Sequence, residues 1–187
     1  MAIYREEVDP TLSLEEAKAE MGNKLDQAEA ALQENRLDEV AGLLEEVRAI
    51  AERHGISVPP TLETYGTELE REQAYQAKFA TALKAFCQEN YGAARLAFLE
   101  LEQAKPSDPE PGRYIERMYF NNGIVELQSK RPWEAVYYFE TVLKRNAGDA
   151  EVQELKQFAE QFGKGDPLDY KYISRVDRLQ YRNAGCE

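Results

Sequence analysis

From Ser13 to about residue 162, apolar side chains return every three or four positions, and the polar stretches between those runs are short. That period puts them on one face of a helix, whereas a strand would alternate at every second residue. Ala17, Met21, Leu25, Ala28 and Leu32 mark a helix over 13–34, opened by Ser13 with Glu16 three positions on, the spacing of a capping box. Asn35-Arg36 turns the chain. Leu37, Val40, Leu44, Val47 and Ile50 stripe a second helix ending at Gly55, where a left-handed cap is expected. Val58-Pro59-Pro60 reads as a stiff extended linker. From Thr61 to about Asn90 the stripe is Leu62, Tyr65, Leu69, then Glu72 and Gln76, then Phe79, Leu83 and Phe86. Steps of three and four predict one long helix, packed at both ends and wetter in the middle. Gly66 lowers helix stability there by about 1 kcal/mol relative to alanine and marks a site for a kink.

Further helices are predicted over 92–104, over 110 or 113 to 129, from Pro132 to about Asn146, and over 150–162. Pro106 and the Ser107–Gly112 break separate the first two, Pro132 suits a first helical turn, and Asp149 is placed to cap the last. Gly163-Lys164-Gly165 is a helix stop. The tail 168–187 holds either a short helix around 173–182 or a loose segment. No run carries the two-residue period of a strand.

Two stretches share one pattern at a spacing of 41 (135 − 94): Ala82, Ala94, Phe98, Leu101, Pro106, and then Gly123, Ala135, Phe139, Val142. Each has a small residue in one helix, a turn, then Ala and Phe four apart in the next. These residues resemble the tetratricopeptide repeat, in which small residues let paired helices approach and the aromatic fills the groove to the next pair. The resemblance implies an all-α fold of antiparallel helix hairpins stacked as a short solenoid of about six to eight helices. The expected layout is a flexible segment 1–12, then a repeat domain 13–162, then a tail 163–187. Within that domain lie a looser hairpin at 13–55 (Ala28, Val40, Leu44, Val47), repeats at 61–105 and 110–147, and a capping helix at 149–162. The family's usual repeat is about 34 residues, so these carry extra turns near 106–118. Repeat packing falls to Ala82, Ala94, Phe98, Gly123, Ala135 and Phe139.

Charge narrows the partners. The chain is net −12, distributed as −8 over residues 1–60 (14 acids, 6 bases), −4 over 61–110 (9 acids, 5 bases) and zero over 111–187 (12 of each). An acidic half repels phosphate backbones, so nucleic acid is not expected as a ligand. No apolar run reaches the roughly 20 residues of a membrane span, and the first residues lack the apolar core of a secretory leader; the expected location is cytoplasmic. With one histidine, His54, and two cysteines, a zinc site, a disulfide framework or a His-based nucleophile scheme is not expected. His54 reads as a favourable group at a helix C-terminus, Cys87 as a small buried packer and Cys186 as a free thiol. No catalytic residue, cofactor or metal is assigned.

The remaining positions on the first helix of each hairpin form the candidate partner-binding groove: Gln76, Phe79, Leu83 and Phe86, then Arg117, Phe120, Asn121, Ile124 and Leu127. Some members of the family grip a peptide's terminal carboxylate with Lys, Asn and Arg, but only Arg117 and Asn121 offer that chemistry here. A row so apolar needs a cover. The candidates are a partner segment, the chain's own tail, a second copy, or the long helix itself. The tail, where tyrosines alternate with Lys171, Arg175, Arg178 and Arg182, either docks on the acidic amino-terminal half or recruits another protein. The expected function is a non-catalytic adaptor holding another protein or peptide segment, with self-association open. Alternatives are a chaperone-like holder of an export or assembly subunit, or a homo-oligomeric scaffold.

Overall fold

The computed structural model describes residues 13–183 together with Gly185 and Cys186; the segment 1–12, expected to be flexible, lies outside the described residues. The described residues form eight helices and no strand: α1 (Leu14–Gln33), α2 (Leu37–His54), α3 (Pro60–Cys87), α4 (Tyr91–Ala104), α5 (Glu110–Gln128), α6 (Pro132–Arg145), α7 (Ala150–Ala159) and α8 (Tyr170–Val176). The fold is all-α. The chain divides into two compact units, Met1–Gln76 and Ala77–Glu187, with α3 contributing to both.

Helix ends follow local chemistry. Ser13 and Glu16 close the capping box, with the Ser13 backbone N–H donating to Glu16 Oε2 at 2.8 Å. Gly55 takes the left-handed conformation after α2 (φ 62°), the region a residue without Cβ enters freely. α3 continues through Gly66. The turns after α1, α3 and α5 share one construction. Asn35, Glu89 and Lys130 lie at φ 58°, 58° and 61°, and the next residue's N–H returns to the carbonyl five positions back. Those bonds are Arg36 to Ala31 at 2.9 Å, Asn90 to Ala85 at 3.0 Å and Arg131 to Glu126 at 2.9 Å. This is the Schellman pattern, which uses carbonyls a helix end would otherwise leave unpaired.

In the first unit α1 packs on α2, and Leu62 and Leu69 of α3 join Met21, Leu25, Val40, Leu44, Val47 and Ile50 in one apolar cluster. In the second, α5 packs against α4, α6 and α8, and α6 against α7. α5 is therefore buried around much of its circumference. Gly123, inside it, makes room for a ring: a Cβ there would lie 2.5 Å from Phe139 Cε1. The expected packing residues Ala82, Ala94, Phe98, Gly123, Ala135 and Phe139 are all buried.

Three helices depart from their expected limits. α3 ends at Cys87 rather than about Asn90, where Glu89 turns left-handed (φ 58°) and the Asn90 N–H returns to the Ala85 carbonyl. α7 stops at Ala159 rather than 162: the chain tightens into a turn (Phe162 N–H to Ala159 O, 3.2 Å), and Phe162 sets its ring edge-on to Tyr172 at 5.0 Å. The tail helix spans 170–176 rather than 173–182, because Asp169 accepts from the Tyr172 N–H at 2.9 Å and fixes its start. From Leu179 to Asn183 the chain is non-helical, and the Cys186 N–H returns to the Asn183 carbonyl at 3.2 Å in a turn.

Candidate functional site

The groove row divides once folded. Gln76 belongs to the first unit, where its amide donates to Asn35 Oδ1 at 3.0 Å. Phe79 and Phe86 are not a free surface. Tyr114 of α5 gathers them, stacking on Phe98 at 4.9 Å and meeting Phe79 and Phe86 edge-on at 5.7 and 5.3 Å. Such geometries add roughly 0.5–1.5 kcal/mol each beyond burial. Leu83 and Arg117 are half-buried, the Arg117 guanidinium lying 4.6 Å from the Tyr114 ring centroid. Phe120, Ile124 and Leu127 are buried, and so is Asn121.

Asn121 is the functional oddity: a fully buried amide amid apolar neighbours. A buried polar group is costly unless paired. Its Nδ2 donates to Tyr91 Oη (3.2 Å) and Asn183 Oδ1 (3.0 Å), and its Oδ1 accepts from the Arg182 backbone N–H (2.7 Å). Two of those three partners come from the carboxy-terminal tail.

The tail covers the groove. Tyr181 donates its hydroxyl to Gln128 Oε1 at 2.7 Å, Arg182 and Asn183 meet Asn121, and a Cβ on Gly185 would collide with the Tyr114 hydroxyl. Positions 128, 121 and 114 are seven apart, two turns along one face of α5, so the tail runs antiparallel to that helix. Gly185 holds φ 95°, and its missing side chain is what lets the turning tail pass Tyr114. One residue later Cys186 is disulfide-bonded to Cys87 at the end of α3. Both cysteine expectations are corrected. Phe86 takes the buried position, and Cys87, about 100° further round the helix, is exposed and faces the tail.

Arg182 is the tail's principal anchor. Its guanidinium lies 3.9 Å from the Phe120 ring centroid and forks onto Asp149, with Nη1 to Oδ2 at 2.6 Å and Nη2 to Oδ1 at 3.1 Å; Nη2 also reaches Glu151. Asp149 meanwhile caps α7, accepting from the Val152 N–H at 3.2 Å. Hydrogen bonds from Arg182 hold the Asp149 carboxyl below the usual carboxylate range, against the opposing effect of burial. Burial works against the Arg182 charge, but hydrogen bonds from Asp149 and Glu151 outweigh it and raise its pKa. Burial raises the Tyr91 hydroxyl, with the Asn121 hydrogen bond acting the other way. Upstream, Tyr172 of α8 donates to the Leu127 carbonyl at 2.6 Å, and burial pushes its pKa up to about 12.

The tail thus docks on the second unit, drawn by Asp149 and Glu151, and not, as one expectation had it, through the regional charge of the amino-terminal half. Tyr91, Asp149 and Glu151 complete a site for which the sequence offered Asn121, its groove neighbours and, in the tail, Arg182 as a docking residue without its partner; Asp149 was legible only as a cap. His54 ends α2 as expected, and its Nε2 has no hydrogen-bond partner. The first unit has a surface cleft of about 660 Å³ bounded by Leu14, Met21, Leu25 and Ile56, with Lys18 at its edge already paired to Glu15. Its lining lacks the convergent polar groups that orient a ligand. Among the described residues no cluster of three His, Cys, Asp or Glu could hold a metal, and no helix is long and apolar enough to cross a membrane. Compared with known families, curated proteins and solved structures, the chain matches none.

Proposed function

We propose that this protein is a non-catalytic interaction module of tetratricopeptide-like build, whose second unit holds an extended protein segment along α5. The observation that carries this reading is Asn121: a buried amide on a helix face, using two of its hydrogen bonds on a non-helical segment from about 60 residues downstream (182 − 121 = 61). An extended chain laid along a groove, with its backbone fixed by side-chain amides and its side chains read by pockets, is a common mode of peptide recognition. Four helix ends close in the Schellman pattern, at 35, 55, 89 and 130, and the three that fall inside the helix hairpins support the repeat reading. They fall at 35, 89 and 130, spaced 54 and 41, the same offsets as Val40, Ala94 and Ala135. In this reading the protein works in the cytoplasm with a protein partner rather than a nucleic acid. A chaperone-like holder and a homo-oligomeric scaffold are the competing assignments.

The test clears the groove in the full chain with Arg182→Ala and Cys186→Ser and places a photo-crosslinking residue at Gln128, beside the tail, or at Arg95 on α4. The expected outcome is one partner, identified by mass, captured from position 128 and not from 95, lost on adding Asn121→Leu, and reproduced with that partner purified. An adduct of twice the chain mass assigns the groove to self-association. Equal capture from both positions, or none, overturns the groove reading.

A further inference from the structure

Resting on that reading, we infer that the second unit selects an extended segment carrying an aromatic–arginine–asparagine triplet, and that the chain's own Tyr181-Arg182-Asn183 is a built-in competitor tethered by the Cys87–Cys186 bond. Each member of the triplet has its own partner: Gln128 for the phenol, the Phe120 ring with Asp149 and Glu151 for the guanidinium, and the Asn121 amide for the asparagine. The Arg182 subsite is the selective one. A guanidinium can cover a ring and still present a two-pronged fork to both oxygens of Asp149; an ammonium, a point charge, cannot do both. With Arg182 in place the Asp149 side chain is only 10% exposed, so the guanidinium and its surroundings cover most of the carboxylate. Charge complementarity therefore fixes the occupant's chemistry.

The contacts of 181–183 are polar and charge-assisted, and the Arg182 side chain stays 28% exposed, so water can replace them. What makes the tail permanent is its two ends: α8, locked through Tyr172, and the disulfide. Cys87 is open to solvent, where a dithiol reductant can reach it. Its thiolate attacks the Cys87 sulfur and the Cys186 thiolate leaves. The reductant's second thiol then resolves the mixed disulfide, and the reductant departs as its own disulfide, leaving two electrons and two protons on Cys87 and Cys186 as thiols. The released tail stays linked at α8 and still competes at an effective concentration on the order of millimolar. The oxidised chain keeps the site closed, and the reduced chain lets an outside segment exchange with it.

The experiment uses a fluorescein-labelled peptide with the sequence of residues 178–185, and versions in which the arginine corresponding to Arg182, and not that at 178, is replaced by alanine or leucine. Each is titrated by polarisation into the oxidised wild-type chain and into full-length Arg182→Ala/Cys186→Ser. The arginine peptide is expected to bind the double variant at least about tenfold more tightly than either replacement, the scale of a lost charged hydrogen bond, and not to bind the oxidised wild type. If the leucine peptide binds equally well, the groove reading stands and arginine selectivity falls. If no peptide binds the folded double variant, both fall. Equal binding to the oxidised wild type overturns the tethered competitor. A second readout needs no peptide: the residue-182 amide, which donates to Asn121, should exchange its hydrogen far faster in Cys186→Ser than in the oxidised wild type. Equal rates overturn the tether even if the double variant fails to fold.

Discussion

Single residues here act through the space and dihedral angles they allow. Gly123 reads from sequence as the small member of a repeat, and its physical role is sharper: Phe139 occupies the volume its side chain would need. Gly123→Ala should therefore overpack the α5–α6 contact and lower stability by about 1–3 kcal/mol, measured by urea unfolding followed through Trp133, the chain's one tryptophan. An unchanged midpoint would mean the ring moves aside at no cost. Lys130 makes the opposite case. It is exposed and holds φ 61°, a left-handed angle that costs a side-chain-bearing residue about 1–2 kcal/mol. Lys130→Gly relieves that, less the extra freedom glycine gains when unfolded, for an expected gain of about 0.5–1 kcal/mol in the same unfolding curves. Nothing in the sequence marks this position, because glycine, the residue that normally signals a left-handed cap, is absent; the hydrogen-bond pattern reveals it.

At the scale of elements, periodicity carried most of the information. The stripes Met21–Leu25–Ala28 and Val40–Leu44–Val47 place α1 and α2 within a residue or two, since one buried face needs one apolar side chain per turn. The exceptions include α7, which gives way to a turn that seats Phe162 against Tyr172, and α8, which starts where Asp169 caps the Tyr172 N–H. Cooperation between distant elements leaves no period to read. The same limit hid half of the site: Asp149 caps α7 from a local position, yet its second role depends on the tail bringing in Arg182. α8 is held by the Tyr172 hydroxyl on the Leu127 carbonyl, and its phenol titrates at about 12, against about 10 for an unperturbed tyrosine. The folded pKa is raised, so this contribution is complete below pH 10 and lost as pH rises toward 12. Asp149 works at the other end: its folded pKa is lowered, so its contribution is complete above about pH 4 and disappears as pH falls through the folded value. Hydrogen exchange in 170–183, corrected for intrinsic rates, should thus show protection that is flat between pH 5 and 9. A loss of protection within that range would mean that a group other than Asp149 or Tyr172 governs docking.

For the molecule as a whole, the decisive link joins residues 99 apart. Two cysteines with no motif around them gave no reason to pair, because sequence separation alone says nothing about distance in space. Folding brings them together: α3 ends at Cys87 beside α5, and the tail along α5 delivers Cys186 to that end. The closed loop contains α4 to α8, nearly all of the second unit. Linking chain ends so far apart removes much of the freedom of the unfolded chain, and such bonds typically contribute about 2–4 kcal/mol. Trp133 lies inside the loop and reports on this unit alone. Cys186→Ser should then lower the thermal midpoint seen by tryptophan fluorescence by roughly 10–20 °C, and dithiothreitol should reproduce that shift in the wild type while leaving the variant unchanged. The two arms separate the bond from the side chain. A drop in the variant without one in the reduced wild type would assign the effect to packing around residue 186. Equal midpoints throughout would mean that the tail is held by Arg182, Asn121 and Tyr172 without help, and that the bond records a docking already complete.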